Sequence, residues 1–247
     1  MNAHGKEILS CLREVDIERR ARAGDAGLAI RVSSIKRYQH ARFERTYGDL
    51  LSSAHYGRAA KFFLEDLYGP GDFSQRDEQF ARIVPALVRL FPHDLVGTVA
   101  AVAELHALSE QLDSSMGRAI ATNGGHLEGM PEAPLAAAEY ASAWRLVGRA
   151  PDRERQIQLM LDVGRALDRY TRKPLLRQSL KLMSGPAQAA GLGTLHAFLV
   201  TGFDTFREMK GAEGFLSTIG ERERSLARHL FDGGTAANVG ASRGLSS

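Results

Sequence analysis

The stretch that decides the fold runs from Tyr56 to Leu90, YGRAAKFFLEDLYGPGDFSQRDEQFARIVPALVRL. It reads as two helices joined by a turn. Tyr56, Ala59, Ala60, Phe63, Leu64 and Leu67 recur at spacings of three and four, while Arg58, Lys61, Glu65 and Asp66 fall largely opposite. That is the pattern of a helix lying on a core. The first helix spans about His55 to Tyr68. Gly69-Pro70 stops it, with Gly69 expected at positive φ, since glycine takes the left-handed conformation at no steric cost and proline cannot continue a helix. Ser74 is expected to cap the next helix, with Asp77 three residues on as a variant capping box. Phe80, Ile83, Val84, Leu87, Val88 and Leu90 give that helix an apolar face to about Phe91-Pro92, with a kink or restart at Pro85. Phe62, Phe63, Leu64, Leu67 and Tyr68 are too many bulky groups for one stripe. The earlier helix should therefore be buried on more than one side. It should draw Glu65 or Asp66 toward Arg76 in a structural network that includes Asp77.

The same periodicity extends outward and strand-like alternation is nearly absent. A charged helix covers about Lys6 to Arg22, ended by Gly24 and Gly27, and another covers Leu28 to Ser53. Asp94 opens a long helix to Ala121. Asn123 to Pro134 is the strongest internal break. Pro134 and Pro151 read as N1 prolines of helices over Leu135–Val147 and Asp152–Tyr170. Lys173-Pro174 and Gly185-Pro186 bracket a short helix. Leu192 to Lys210 and Phe215 to Phe231 complete the set. The expectation is an all-α, single multi-helix orthogonal or bundle domain of about eight to ten helices. Residues 1–27 form an N-terminal charged helix and linker, residues 28–232 the helical domain, and residues 233–247 a disordered tail.

The chain has 247 residues, 44% hydrophobic and 25% charged, with 32 basic against 29 acidic residues and a net charge of +3. That composition suits a globular domain, and the charge balance is too even to imply nucleic acid. Cys11 is the single cysteine, so no internal disulfide forms. No apolar run reaches the roughly 18–20 residues that span a bilayer. The expected setting is the cytoplasm of a bacterium, with no membrane or nucleic-acid partner and with a homo-oligomer allowed.

The run FFLEDLYGPGDFSQRDEQFARIVPALVRLFP, with ELHALSEQLD and GPAQAAGLGTLHAFLVTGFDTF behind it, resembles an uncharacterised family of proteobacterial hypothetical proteins. The resemblance extends to about Glu223. It implies one architecture and no particular activity.

Several constellations carry chemical interest. His106, Glu110 and Asp113 lie at i, i+4 and i+7 on one helix, so imidazole and two carboxylates share a face and suit a metal. The alternative is a hydrogen-bonded strip between helices. No Glu-x-x-His occurs, which argues against a di-iron bundle. His93-Asp94 superficially resembles the phosphohydrolase His-Asp dyad, and His55 and Asp113 can be nominated to complete it. With eight histidines in the chain such a nomination is easy, and Asp94 after Pro92 is a natural N-cap. His196 borders the Leu192, Leu195, Leu199, Phe206, Met209 seam, and with His106 is a candidate axial ligand for haem or another tetrapyrrole. Arg165, Arg169, Arg172 and Lys173, with Arg177 and Lys181 beyond, form a basic stretch that fits an anion or acidic neighbouring helices. Phosphate loops, nucleophile elbows and cysteine zinc spacings do not occur. The reading is a helical binding or interaction protein for an unidentified protein or small-molecule ligand. The alternative is a cofactor-binding protein or enzyme with a pocket between helices.

Overall fold

The computed structural model describes residues 2–67, 73–122 and 134–235. These form twelve α-helices and a π-helical turn, and no strand occurs among the described residues. The helices are α1 Ala3–Gly24, α2 Ala26–Thr46, α3 Gly48–Leu51, α4 Gly57–Phe62, α5 Ser74–Leu90, α6 His93–Thr122, α7 Ala137–Val147, α8 Ala150–Thr171, α9 Pro174–Leu182, α10 Ser184–Ala189, α11 Gly193–Glu208 and α12 Glu213–Phe231. The π turn, Phe63–Leu67, continues α4.

The long apolar α6 is the axis, with α1, α2, α7 and α8 packed around it. Its first half meets α1 and α5 through Ile8, Val84, Leu87, Val96, Ala100 and Ala103. Its last turns meet α2, α7 and α12 through Ile35, Met116, Ile120, Tyr140, Trp144 and Leu230. The largest cluster is built away from α6. It gathers Tyr47, Phe62, Phe63, Leu64, Leu161, Phe206, Phe215 and Ile219. This is where the Tyr56–Leu90 stretch contributes most: Phe62, Phe63 and Leu64 are all buried. Three consecutive buried side chains require cover on more than one side, and α11 and α12 supply it.

Several expectations are corrected. The core does not begin at Leu28, because Ile8 and Val15 on α1 are fully buried against the rest of the fold. Their spacing of seven is masked in the sequence by charged neighbours. The expected Leu28–Ser53 helix breaks at Tyr47, whose hydroxyl donates to Glu223 Oε1 on α12 at 2.6 Å. Ser74 is the first helical residue of α5 and Phe73 occupies the cap position. Pro85 lies inside α5, which does not restart there. Pro134 precedes α7 by three residues, so it is not at N1, whereas Pro151 does lie in the first turn of α8. Pro186 sits inside α10 instead of closing the preceding helix. The Gly69 cap, most of the Asn123–Pro134 break and the tail from residue 236 lie outside the described residues.

Candidate functional site

Among the described residues, the places that bear on function are a polar strip along α6, a groove at the ends of α8 and α11, and the outer face of α9.

The strip contains the residues singled out as metal ligands. His106, Glu110 and Asp113 do share a face of α6, but each is held by a different neighbour. His106 Nε2 donates to Asp77 Oδ2 on α5 at 2.8 Å, and Arg19 Nη2 on α1 donates to the same oxygen at 2.5 Å. Glu110 accepts from Arg22 Nη2 on α1 at 2.6 Å and from Lys36 Nζ on α2 at 2.5 Å. Arg22 Nη1 also donates to Ser114 Oγ at 3.1 Å. Asp113 accepts from Gln39 Nε2 on α2 at 2.9 Å. Among the described residues no three His, Cys, Asp or Glu side chains converge so as to hold a metal ion. The arrangement is a clamp that fixes α1, α2 and α5 on α6.

Burial alone would raise the Asp77 carboxyl, but the hydrogen bonds and charges of His106 and Arg19 outweigh it and hold it below its ordinary range. Burial likewise works against Glu110, and Lys36 and Arg22 win again. At Asp113 burial prevails and the carboxyl is pushed up, with Lys36 offsetting only part. Asp77 thus serves as the clamp's anchor on α5, where the sequence suggested a capping-box partner.

Where the sequence suggested that the Glu65 or Asp66 carboxylate would be drawn to Arg76, the contact is to the main chain. Arg76 Nη1 donates to the Asp66 carbonyl at 2.9 Å, and its Nε lies 3.7 Å from Asp77 Oδ1. Its guanidinium sits 4.2 Å from the Phe73 ring centre and 4.6 Å from that of Phe198. Glu65 is exposed and Asp66 half-buried. Arg76 therefore ties the end of the π turn to α5 and α11. Arg76→Ala is expected to cost about 2 kcal/mol, from a charge-assisted hydrogen bond and two ring contacts. Arg76→Lys should recover little, because lysine lacks the planar fork. Urea melts of both variants check this, and a loss below about 0.5 kcal/mol for Arg76→Ala would count against the tie.

The other candidates are placed as follows. His196 Nε2 donates to the Leu180 carbonyl at 2.7 Å and so tethers α11 to α9. His93 packs on His4, with ring centres 4.5 Å apart, and Asp94 lies in the first turn of α6. The Cys11 thiol is pushed up to about 11 by burial and by Glu14, Glu104 and Glu7, so it is not a thiolate nucleophile near neutral pH.

The basic stretch does not converge on one point. Arg165 pairs with Asp162 at 3.3 Å and Arg172 with Asp168 at 2.7 Å, while Lys173 lies over the Tyr170 ring. Consecutive positions on a helix diverge by about 100°, and only Arg172 of the four enters the groove. There it meets Asp168, Thr171, Arg207, Lys210 and Gly211 around a cavity of about 200 Å³. An adjoining cavity of about 360 Å³ is lined by Arg58, Arg177, Asp204, Arg207, Glu208 and Lys210. Sequence reasoning missed Arg58, Arg207 and Lys210, which come from α4 and the far end of α11.

On α9, Leu176 and Leu180 are half-buried against the body of the fold, but Leu175 is 75% and Leu182 80% exposed. Met183 and, on α11, Leu199 are exposed as well. No helix is long and apolar enough to cross a membrane among the described residues.

The family model described as Domain of unknown function (DUF8198) matches residues 18–237, and the chain belongs to that family. The match runs from the last turns of α1 to just beyond α12. No curated protein and no solved structure matches the chain.

Proposed function

We propose that this is a non-enzymatic interaction protein of the cytoplasm, with α9 as its docking element and an acidic amphipathic helix of a partner protein as the occupant. The observation that carries this reading is the exposure of Leu175 and Leu182. They stand seven residues apart, on one side of a helix whose other apolar residues already pack inward. Isolated exposed leucines are ordinary, but two large residues in register on one short helix, with Met183 beside them, form a patch that a partner covers.

Charge selects among the occupants. Arg169, Arg172, Lys173, Arg177 and Lys181 lie on α9 and the end of α8, Arg172 and Arg177 being paired with Asp168 and Asp204, and between residues 169 and 181 there is no Asp or Glu. A second copy docking α9 on α9 would bring like charges together, which costs free energy in an isologous contact. An acidic helix gains from the same charges. A bilayer is a poorer match: α9 has nine residues and no aromatic group, and interfacial binding grows with buried apolar area.

The test uses a labelled synthetic helix with leucine at three- and four-residue spacings and glutamate elsewhere. Fluorescence anisotropy should show saturable, salt-sensitive binding. Leu175→Ser combined with Leu182→Ser should weaken it at least about tenfold, the effect of losing about 1.4 kcal/mol of binding free energy. Absence of binding overturns the reading. In that case, sedimentation with phosphatidylglycerol vesicles would favour a membrane surface, and a concentration-dependent dimer lost in the double variant would favour self-association.

A further inference from the structure

We propose that the groove between the ends of α8 and α11 binds the phosphate group of a small phosphate monoester through Arg207 and Lys210. The groove adjoins the α9 face and shares Arg172 and Arg177 with it, but the two cations invoked here, Arg207 and Lys210, are not part of that face.

The lining carries more cations than carboxylates. Arg58, Arg172, Arg177, Arg207 and Lys210 face Asp168, Asp204 and Glu208. Each carboxylate already has a partner. Asp168 accepts from Arg172 at 2.7 Å and Asp204 from Arg177 at 3.0 Å, and Glu208 is paired with Arg58. Among the described residues, the Arg207 and Lys210 side chains have neither an ion pair nor a hydrogen bond. They are also the two residues common to both cavities, so the uncompensated charge is focused where the cavities join. A phosphate monoester carries close to two negative charges at neutral pH, which matches these cations. The larger cavity, about 360 Å³, leaves room for the organic part.

The helix ends oppose an anion. α8 ends at Thr171 and α11 at Glu208, and each presents roughly half a negative charge at its C-terminus. That field is one reason cations gather here. It cancels about one unit of the free positive charge, so the groove stays net positive and binding of the bare anion should be weak.

The backbone supplies a second observation. Lys210 has φ 51° and Gly211 φ 138°. The left-handed residue that follows a helix is usually glycine, because a Cβ is strained there. Here a lysine occupies that position and the glycine comes one residue later. The cost is local and the result is a cation set at the mouth of the groove.

This geometry gives a decisive variant. Lys210→Gly removes the cation while relieving the left-handed strain, so it should keep or raise the melting temperature. Arg207→Gln keeps the helix and removes the other charge. Calorimetric titration of the full chain with glycerol 3-phosphate, at constant ionic strength, should show one saturable site in the millimolar range or tighter. Inorganic phosphate should compete and chloride should not. Arg207→Gln combined with Lys210→Gly should weaken binding at least about tenfold, in keeping with loss of two charge-assisted contacts, with no fall in melting temperature. Equal responses to phosphate and chloride would overturn the proposal, as would unchanged affinity in the double variant. Binding of a phosphoserine peptide without binding of glycerol 3-phosphate would overturn the small-molecule assignment.

Discussion

Glu110→Gln is expected to lower the stability of the fold by about 3 kcal/mol at neutral pH. The carboxylate joins three helices, accepting from Arg22 on α1 and Lys36 on α2. Its side chain is 7% exposed, against 15% for Arg22 and 23% for Lys36. The amide keeps the shape but carries no charge, and its NH2 must face one of the two cations. A buried cation left without its counter-ion is the costly outcome, more so than the loss of the pair's own attraction. Asp113, one turn along the same helix, should behave in the opposite sense. Its carboxyl is pushed up by burial, so ionisation there opposes folding, and Asp113→Asn keeps the acceptor that Gln39 uses. That variant should be neutral or stabilising by up to about 1 kcal/mol at pH 7.

The pH dependence separates the two. Glu110 is held below its ordinary range, so its contribution is present above the unfolded value of about 4.3 and is lost as pH falls through the folded value. The deficit of Glu110→Gln should therefore shrink in acid, where the parent also protonates. Asp113 is raised, so its contribution is present below the unfolded value of about 3.9 and is lost as pH rises through the folded value. The gain of Asp113→Asn should grow with pH. Urea melts between about pH 2 and 8 read both slopes, that of Glu110 below about pH 4 and that of Asp113 above it. Parallel slopes for the two variants would show that the strip does not work as two opposed carboxylates.

Much of the helical scaffold is legible in the sequence because the apolar period is local. Phe62, Phe63 and Leu64 announce burial on several sides, and the strip of His106, Glu110 and Asp113 is visible from spacing alone. Its meaning is not. The partners come from Arg19 and Arg22 on α1 and from Lys36 and Gln39 on α2, and nothing local distinguishes those residues from their polar neighbours. Asp77 illustrates the ambiguity well. Three residues from Ser74 it fits a cap, yet the folded chain gives it Arg19 and His106, and charge-assisted contacts outweigh one capping bond. α2 ends at Tyr47, whose hydroxyl reaches Glu223 on α12, a contact equally invisible in the local sequence. The groove was hidden by the opposite error. Arg165, Arg169, Arg172 and Lys173 are close in sequence but point around a helix, whereas Arg172, Arg207 and Lys210 are far apart and meet.

Phe63→Ala is expected to cost about 3–5 kcal/mol, the usual range for an aromatic deleted from a core that cannot collapse. Phe63 is 2% exposed and its ring lies 5.9 Å from that of Phe206 and 5.4 Å from that of Phe215, the latter edge-on at 72°. It therefore joins the π turn to α11 and α12 at once. Relaxation around a void is limited on every side. Phe62 is stacked on Phe198 and fills the space above Gly202, where an added Cβ would stand 2.8 Å from the Phe62 ring. On α8, an added Cβ at Gly164 would stand 2.5 Å from Leu216 of the same cluster. Neither neighbour can move inward without losing its own contacts. Phe63→Leu keeps most of the volume and should cost about 1–1.5 kcal/mol. Thermal and urea melts followed by far-UV circular dichroism provide the measure. A domain of this size holds about 5–15 kcal/mol in total, so Phe63→Ala should shift the urea midpoint strongly or leave the chain unfolded. A loss under about 1 kcal/mol for Phe63→Ala, with helicity intact, would mean that this cluster tolerates a void and that the fold's stability resides in the packing around α6 instead.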